Sequence, residues 1–255
     1  FTDSFAAIDG GAVYLEDNTQ LNVSNCNITG SMALGGHGGV IATNNNNIVH
    51  ITNSSIYRSK AKEGGVISTD NGNTIELTNS SFEKNKALNG NGGVISSNGT
   101  TTVTIHNSTL NNNRANGNGG VISVATIVLE NAVLTNNSAF NGGAIYGDTN
   151  GVVNVSNSHF TGNNVSGNGS SIYASGALNV TDSTFASENV TGNATIFIKS
   201  NKKNIALANN NMTGDLLDIY NDGGLFVTPT DLVFGNATVV VFEKANLTAL
   251  LTDDN

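Results

Sequence analysis

Tryptophan is absent from this chain of 255 residues, proline and cysteine each occur once, and methionine twice. The lone Cys26 excludes an internal disulfide and a cysteine-based metal site. Charge is scarce too: Asp, Glu, Lys and Arg make up 11% of residues, where roughly 25% is usual for a soluble globular domain. The net charge of -9 argues against nucleic acid as a partner. No apolar run reaches the roughly 18 residues of a membrane-spanning helix. No segment sustains a helical period, and no signal peptide opens the chain. Residue 1 falls inside a repeat, as expected of a piece cut from a longer protein.

Asn, Gly, Ser and Thr fill the space left by charge, and the 30 glycines are not scattered. Glycine pairs precede two apolar residues again and again, as in Gly64-Gly65-Val66-Ile67, Gly92-Gly93-Val94-Ile95 and Gly142-Gly143-Ala144-Ile145. The second glycines are Gly11, Gly39, Gly65, Gly93, Gly120 and Gly143, in steps of 28, 26, 28, 27 and 23. Ser170-Ser171 before Ile172 and Ala194-Thr195 before Ile196 read as degraded copies. A period of roughly 20–50 residues marks a solenoid, propeller or array.

Each copy holds three apolar stretches. The first follows the glycine pair. The second alternates, as in Val49-His50-Ile51, Ile75-Glu76-Leu77 and Val103-Thr104-Ile105. The third has one large apolar residue with a smaller one five positions on: Phe82 and Ala87, Leu110 and Ala115, Phe160 and Val165. Alternation at period two is the strand signal. A single coil buries no apolar face, so the copies must stack. The expected fold is all-β: a right-handed parallel β-helix of about eight to nine coils, three strands per coil, over residues 1–220. A propeller blade would need four strands and roughly 40–45 residues.

On this reading the glycine pair sits where the third strand bends into the first, and small size there matters more than positive φ. Asn53, Asn79, Asn107 and Asn157 share a column after the second strand and are expected to form a structural ladder, through left-handed turns and amide bonds between coils. A weaker column holds Asn85, Asn113, Asn137 and Asn163.

Gly-Gly followed by Ala or Val and then Ile, with Phe-x-x-Asn as in Phe82-Glu83-Lys84-Asn85 and Phe160-Thr161-Gly162-Asn163, resembles the repeat of chlamydial polymorphic membrane proteins. In its Asn-rich, weakly charged form the repeat is similar to adhesin-like surface proteins of methanogenic archaea. The resemblance spans residues 1 to about 215. It implies an extracellular, cell-surface, glycosylated protein that attaches to glycans or proteins of other cells. The motifs are scaffold, so no family binding residue carries over by position.

From residue 221 the rhythm breaks. The stretch 221–255 holds the only proline, Pro229, and longer apolar runs at Val239–Phe242 and Leu247–Leu251. It reads either as an end cap or as the start of an immunoglobulin-like module. Sixteen Asn-x-Ser/Thr sequons occur, some of them by-products of the ladder.

Chemistry is sparse. Glu76 and Glu130 lie two coils apart in different columns, at least about 10 Å apart by strand spacing, long for a carboxylate pair. The four histidines (His37, His50, His106, His159) fall in different columns, against a shared metal. No cofactor, metal or catalytic residue is expected, and the chain is expected to be a monomer. Passive spacer and polysaccharide lyase or hydrolase remain the alternatives. One charge pattern stands out. Arg58, Lys60, Lys84, Lys86 and Arg114, with Lys62, place six of the ten basic residues on the third strands of three adjacent coils. They are the candidate glycan-binding residues, against the plainer reading of a solvated face that resists aggregation.

Overall fold

The computed structural model describes residues 1–186, 194–199, 205–213, 219–222, 228–230 and 233–234. Among these residues there is no helix, and all pairing between strands is parallel. Each strand pairs with its equivalent one repeat earlier and one later, for example Ile75 with Val49 and Val103. About eight turns of chain therefore stack as a β-solenoid, with backbone ladders running the length of the molecule. At about 4.8 Å per coil this makes a rod roughly 40 Å long.

Three sheets wall the coil, but the three stretches divide among them differently from the expectation. The first and second stretches share one sheet of 16 strands. Where the connection between them shortens, they fuse into one strand, as in Ile122–Glu130. The third stretch is split. Its large apolar residue lies in a sheet of nine strands, exemplified by Ser81–Glu83, and its small one in a sheet of seven, exemplified by Lys86–Ala87. The break is a residue in the left-handed region: Arg58 (φ 59°), Lys84 (φ 57°), Asn112 (φ 55°), Asn136 (φ 54°) or Gly162 (φ 66°).

Alternation does what it predicts. Val103, Ile105 and Leu110 are fully buried, as are Ile75, Leu77 and Phe82 one coil earlier. Core side chains repeat in register, and Phe160 stacks on Phe185 with centroids 4.7 Å apart. Ala87, Ala115 and Ala139 form a separate small cluster beneath the narrow sheet, and Val165 continues their column.

The two corner glycines have different reasons. The first of each pair takes positive φ, as at Gly64 (57°) and Gly92 (64°). The second does not. A Cβ on Gly93 would instead stand 2.0 Å from the carbonyl oxygen of Gly120 in the next coil. The degraded copy at 170 is shifted by one from the expectation: Gly169 keeps the positive-φ position (68°), and Ser170 takes the second. Ala194, two residues before Ile196 as Ser170 is before Ile172, stands in the second position of the following corner and takes φ 61° there. Positive φ is kept at the first position, at Gly169 as at Gly64 and Gly92, while the second position accepts the small residues Ser170 and Ala194.

The expected break at residue 220 falls at the edge of the described part. Thr228–Thr230 and Val233–Phe234 still pair with Ile205–Ala208 and Asn211–Thr213 in the solenoid's own sense. The strands expected at 239–242 and 247–251 lie outside the described residues, as do the sequons at Asn189, Asn193 and Asn236.

Candidate functional site

The Asn column at 53, 79, 107 and 157 takes positive φ, between 48° and 50°, as expected of turn asparagines. Its side chains are exposed, and none of these four amides bonds to the next coil among the described contacts. The ladder is built by neighbours instead. Ser80 Oγ accepts the Ser54 N–H (3.1 Å) and donates to the Thr78 carbonyl (2.8 Å), and Ser54 and Ser158 repeat this motif.

The buried amide ladder is the weaker column. Asn113 Oδ1 accepts the Asn85 N–H at 3.0 Å, and Asn113 Nδ2 donates to the Phe82 carbonyl at 2.9 Å. Asn137 and Asn163 repeat this, and the column is 1% exposed or less. Each amide closes the corner after a positive-φ residue, where main-chain groups would otherwise be orphaned. Two neighbouring columns thus divide the work: the exposed one supplies conformation, the buried one hydrogen bonds.

The five basic candidates fall into two groups. Arg58 and Lys84 stand on the left-handed corner, both over the Tyr57 ring, at 4.8 and 5.3 Å from its centroid. Lys84 also pairs with Glu83 at 2.8 Å. That hydrogen bond and the Glu83 charge, then Tyr57, hold the Lys84 ammonium above the usual lysine value. Around the corner, Lys60, Lys86 and Arg114 are in register on successive strands of the narrow sheet. None of these three has an ion-pair partner among the described residues. Arg58 has no ion pair either, but its charge lies over the Tyr57 ring, whereas these three form an in-register row.

The row leads into a groove of about 510 Å³. Its wall is formed by Arg114, Asn116, Ser138, Phe140, Asn164 and Ser166 over a floor of Ala115, Ala139 and Val165. Phe140 is 52% exposed. The sequence reading missed it because it stands in no apolar column. Its register two residues past Ser138 was the available signal. A second groove, of about 550 Å³, follows the exposed Asn column past Asn25, Asn53, Asn79 and Asn107 and is lined by uncharged amides and hydroxyls apart from Cys26.

The outward carboxylates are matched to histidines rather than to one another. Glu76 lies 3.3 Å from His50 and Glu130 3.0 Å from His106, each pair in register on adjacent strands. His37 lies 3.8 Å from Glu63, too far for a hydrogen bond. The repeat carried this signal, since a histidine is followed one period later by a glutamate: 37 and 63, 50 and 76, 106 and 130. No group of three or more His, Cys, Asp or Glu is placed to hold a metal among the described residues.

An aromatic column runs along the outside of the large sheet: Tyr146, Tyr173, Phe197 and Tyr220, with successive centroids 5.0 Å apart. The rings are within 15° of parallel, so they cover one another's faces and offer edges, not platforms. Burial first, then neighbouring charge, raises the Tyr146 and Tyr173 hydroxyls above the usual tyrosine value, while a bond to Ser175 opposes the shift. The chain matches no protein-family model, no curated protein and no solved structure.

Proposed function

We propose that this chain is the rigid part of an extracellular, cell-surface adhesin that attaches to surface glycans or proteins of other cells. The observation that carries the reading is the in-register row Lys60, Lys86 and Arg114, held without counter-charge on a chain of net charge -9. Like charges that close repel by a fraction of a kcal/mol to about 1 kcal/mol in water. Asn or Thr would serve as ordinary surface there, so an anionic partner accounts for the row. The resemblance to chlamydial and archaeal surface repeats points the same way. Solenoids also keep their shape over distance, which suits both a stalk and an extended binding face.

The function needs no reaction. The outward carboxylates of the second stretch, Glu76 and Glu130, are each engaged by a histidine. The deciding experiment is a glycan array probed with the purified chain, beside a reducing-sugar assay on acidic polysaccharides. Retention on acidic glycans without release of reducing ends is the expected result. Release of reducing ends would make it a polysaccharide-degrading enzyme, and no retention on any glycan or cell surface would leave a passive spacer.

A further inference from the structure

We propose that the groove spanning residues 114 to 166 is a subsite for one carboxylate-bearing sugar unit of an acidic polysaccharide. The row of cations leads the polymer into it. This rests on the adhesin reading above and assigns that reading a place and a ligand chemistry.

A sugar ring presents three kinds of surface: an apolar face of C–H groups, a rim of hydroxyls and, in an acidic sugar, one carboxylate. The groove offers a counterpart to each. Phe140, 52% exposed, supplies the apolar face. Asn116, Ser138 and Ser166 supply an amide and hydroxyls around it. Asn116 Nδ2 donates to the Leu88 carbonyl, and its Oδ1 is an acceptor of the kind a sugar hydroxyl needs. Arg114 stands beside Ser138 in register and has no ion-pair partner among the described residues. Its planar fork suits a carboxylate held by two parallel hydrogen bonds.

The row extends the match. Lys60, Lys86 and Arg114 repeat once per coil, at about 4.8 Å. An extended polysaccharide advances by a comparable length per sugar, so successive carboxylates can meet successive cations. The cations end where the ring-sized groove begins, with Ser138 and Asn164 continuing the column. A charge row alone would take any polyanion. The aromatic ring flanked by amides selects a sugar. The other aromatic column cannot serve, because its rings cover one another.

The test uses the whole chain and a defined probe. Tetragalacturonate and its neutral counterpart, a galactose tetramer, are titrated calorimetrically into the parent, R114Q, F140S and K199Q at low and physiological salt. Lys199 is exposed and directly follows the strand Ile196–Ile198 of the large sheet, so its replacement removes one positive charge away from the groove. Melting curves establish that each variant is folded, and F140Y keeps a ring if F140S is not. We expect the parent to prefer the acidic tetramer and to lose affinity as salt rises. R114Q and F140S should each weaken binding at least tenfold, while K199Q and F140Y bind like the parent. Equal binding of the two tetramers would overturn recognition of the carboxylate. Parent-like binding by both R114Q and F140S would overturn the groove as the site and leave the adhesin reading standing. Failure of the parent to bind either tetramer, with retention on other glycans, would overturn the ligand class alone. Failure on every glycan would sink both.

Discussion

Asn113 Oδ1 receives two hydrogen bonds from Asn85 in the preceding coil, one from its main-chain N–H at 3.0 Å and one from its Nδ2 at 3.1 Å. Both residues are essentially inaccessible to water. The amide therefore acts as a cross-tie between coils, and its Nδ2 satisfies the Phe82 carbonyl as well.

That geometry predicts the cost of removing it. Asn113→Leu is close in size but leaves the Asn85 N–H buried without a partner and takes one donor from the Phe82 carbonyl. A buried group left unpaired costs about 1–3 kcal/mol, so a loss of that size is expected. Asn107→Leu, in the exposed column, should cost less, and mainly through its positive φ. Denaturant titration of both variants checks the order. If Asn107→Leu is the more damaging, the two columns have been assigned the wrong roles.

Gly93 tests the corner. Its φ is not in the left-handed region, so backbone preference gives no reason to refuse alanine. Contact does: the added methyl would lie 2.0 Å from the Gly120 oxygen and 2.8 Å from the Arg114 nitrogen. The coils must separate locally, at about 1–3 kcal/mol by analogy with overpacked cores. A Gly93→Ala variant with the parent's melting temperature would show that the corner is not packed.

The period, the strands and the core were legible because every inward residue recurs at its column, and burial follows the recurrence at Ile75, Val103 and Ile105. The bend in the third stretch was legible in part. Asn112, Asn136 and Gly162 mark a left-handed position, but Arg58 and Lys84 in the same column conceal it. Which Asn column turns inward was not legible, since two columns on either side of the same short strand carry the same residue and differ only in the direction of a corner. The cationic row was visible as a composition bias. The groove beside it was not, because Phe140 belongs to no repeat pattern and a pocket depends on which coils lie next to which.

The outer tyrosines predict an alkaline limit. Burial raises the Tyr146 and Tyr173 hydroxyls above the usual value of about 10. The unfolded chain then releases these protons at lower pH than the folded one. In that interval the folded state binds more protons, so stability is full below about pH 10 and falls as pH rises past it. Phe at both positions removes the effect. The double variant should therefore lose less stability than the parent between pH 9 and pH 11, as read by urea titration. Parallel curves for the two proteins would mean the hydroxyls are free of the burial that stacking implies.

The corner at Lys84 offers the last test, and it bears on why charge sits where it does. Lysine in the left-handed region is disfavoured by contact between its Cβ and the backbone, whereas asparagine tolerates that region. The neighbouring coil shows the preferred solution at the same position, Asn112 at φ 55°. What Lys84 gains in exchange is a solvent-exposed bond to Glu83 at 2.8 Å and a place over Tyr57 at 5.3 Å. Exposed ion pairs contribute little and are screened by salt, so backbone relief outweighs them. Lys84→Asn is accordingly expected to raise the melting temperature, by about 1–3 °C for a chain of this length, and by more at high salt. The same substitution removes one cation from the face next to the row of Lys60, Lys86 and Arg114. Weaker retention on acidic glycans together with higher stability would show a strained corner kept for its charge. A lower melting temperature would instead make the Glu83 and Tyr57 contacts the reason Lys84 is there.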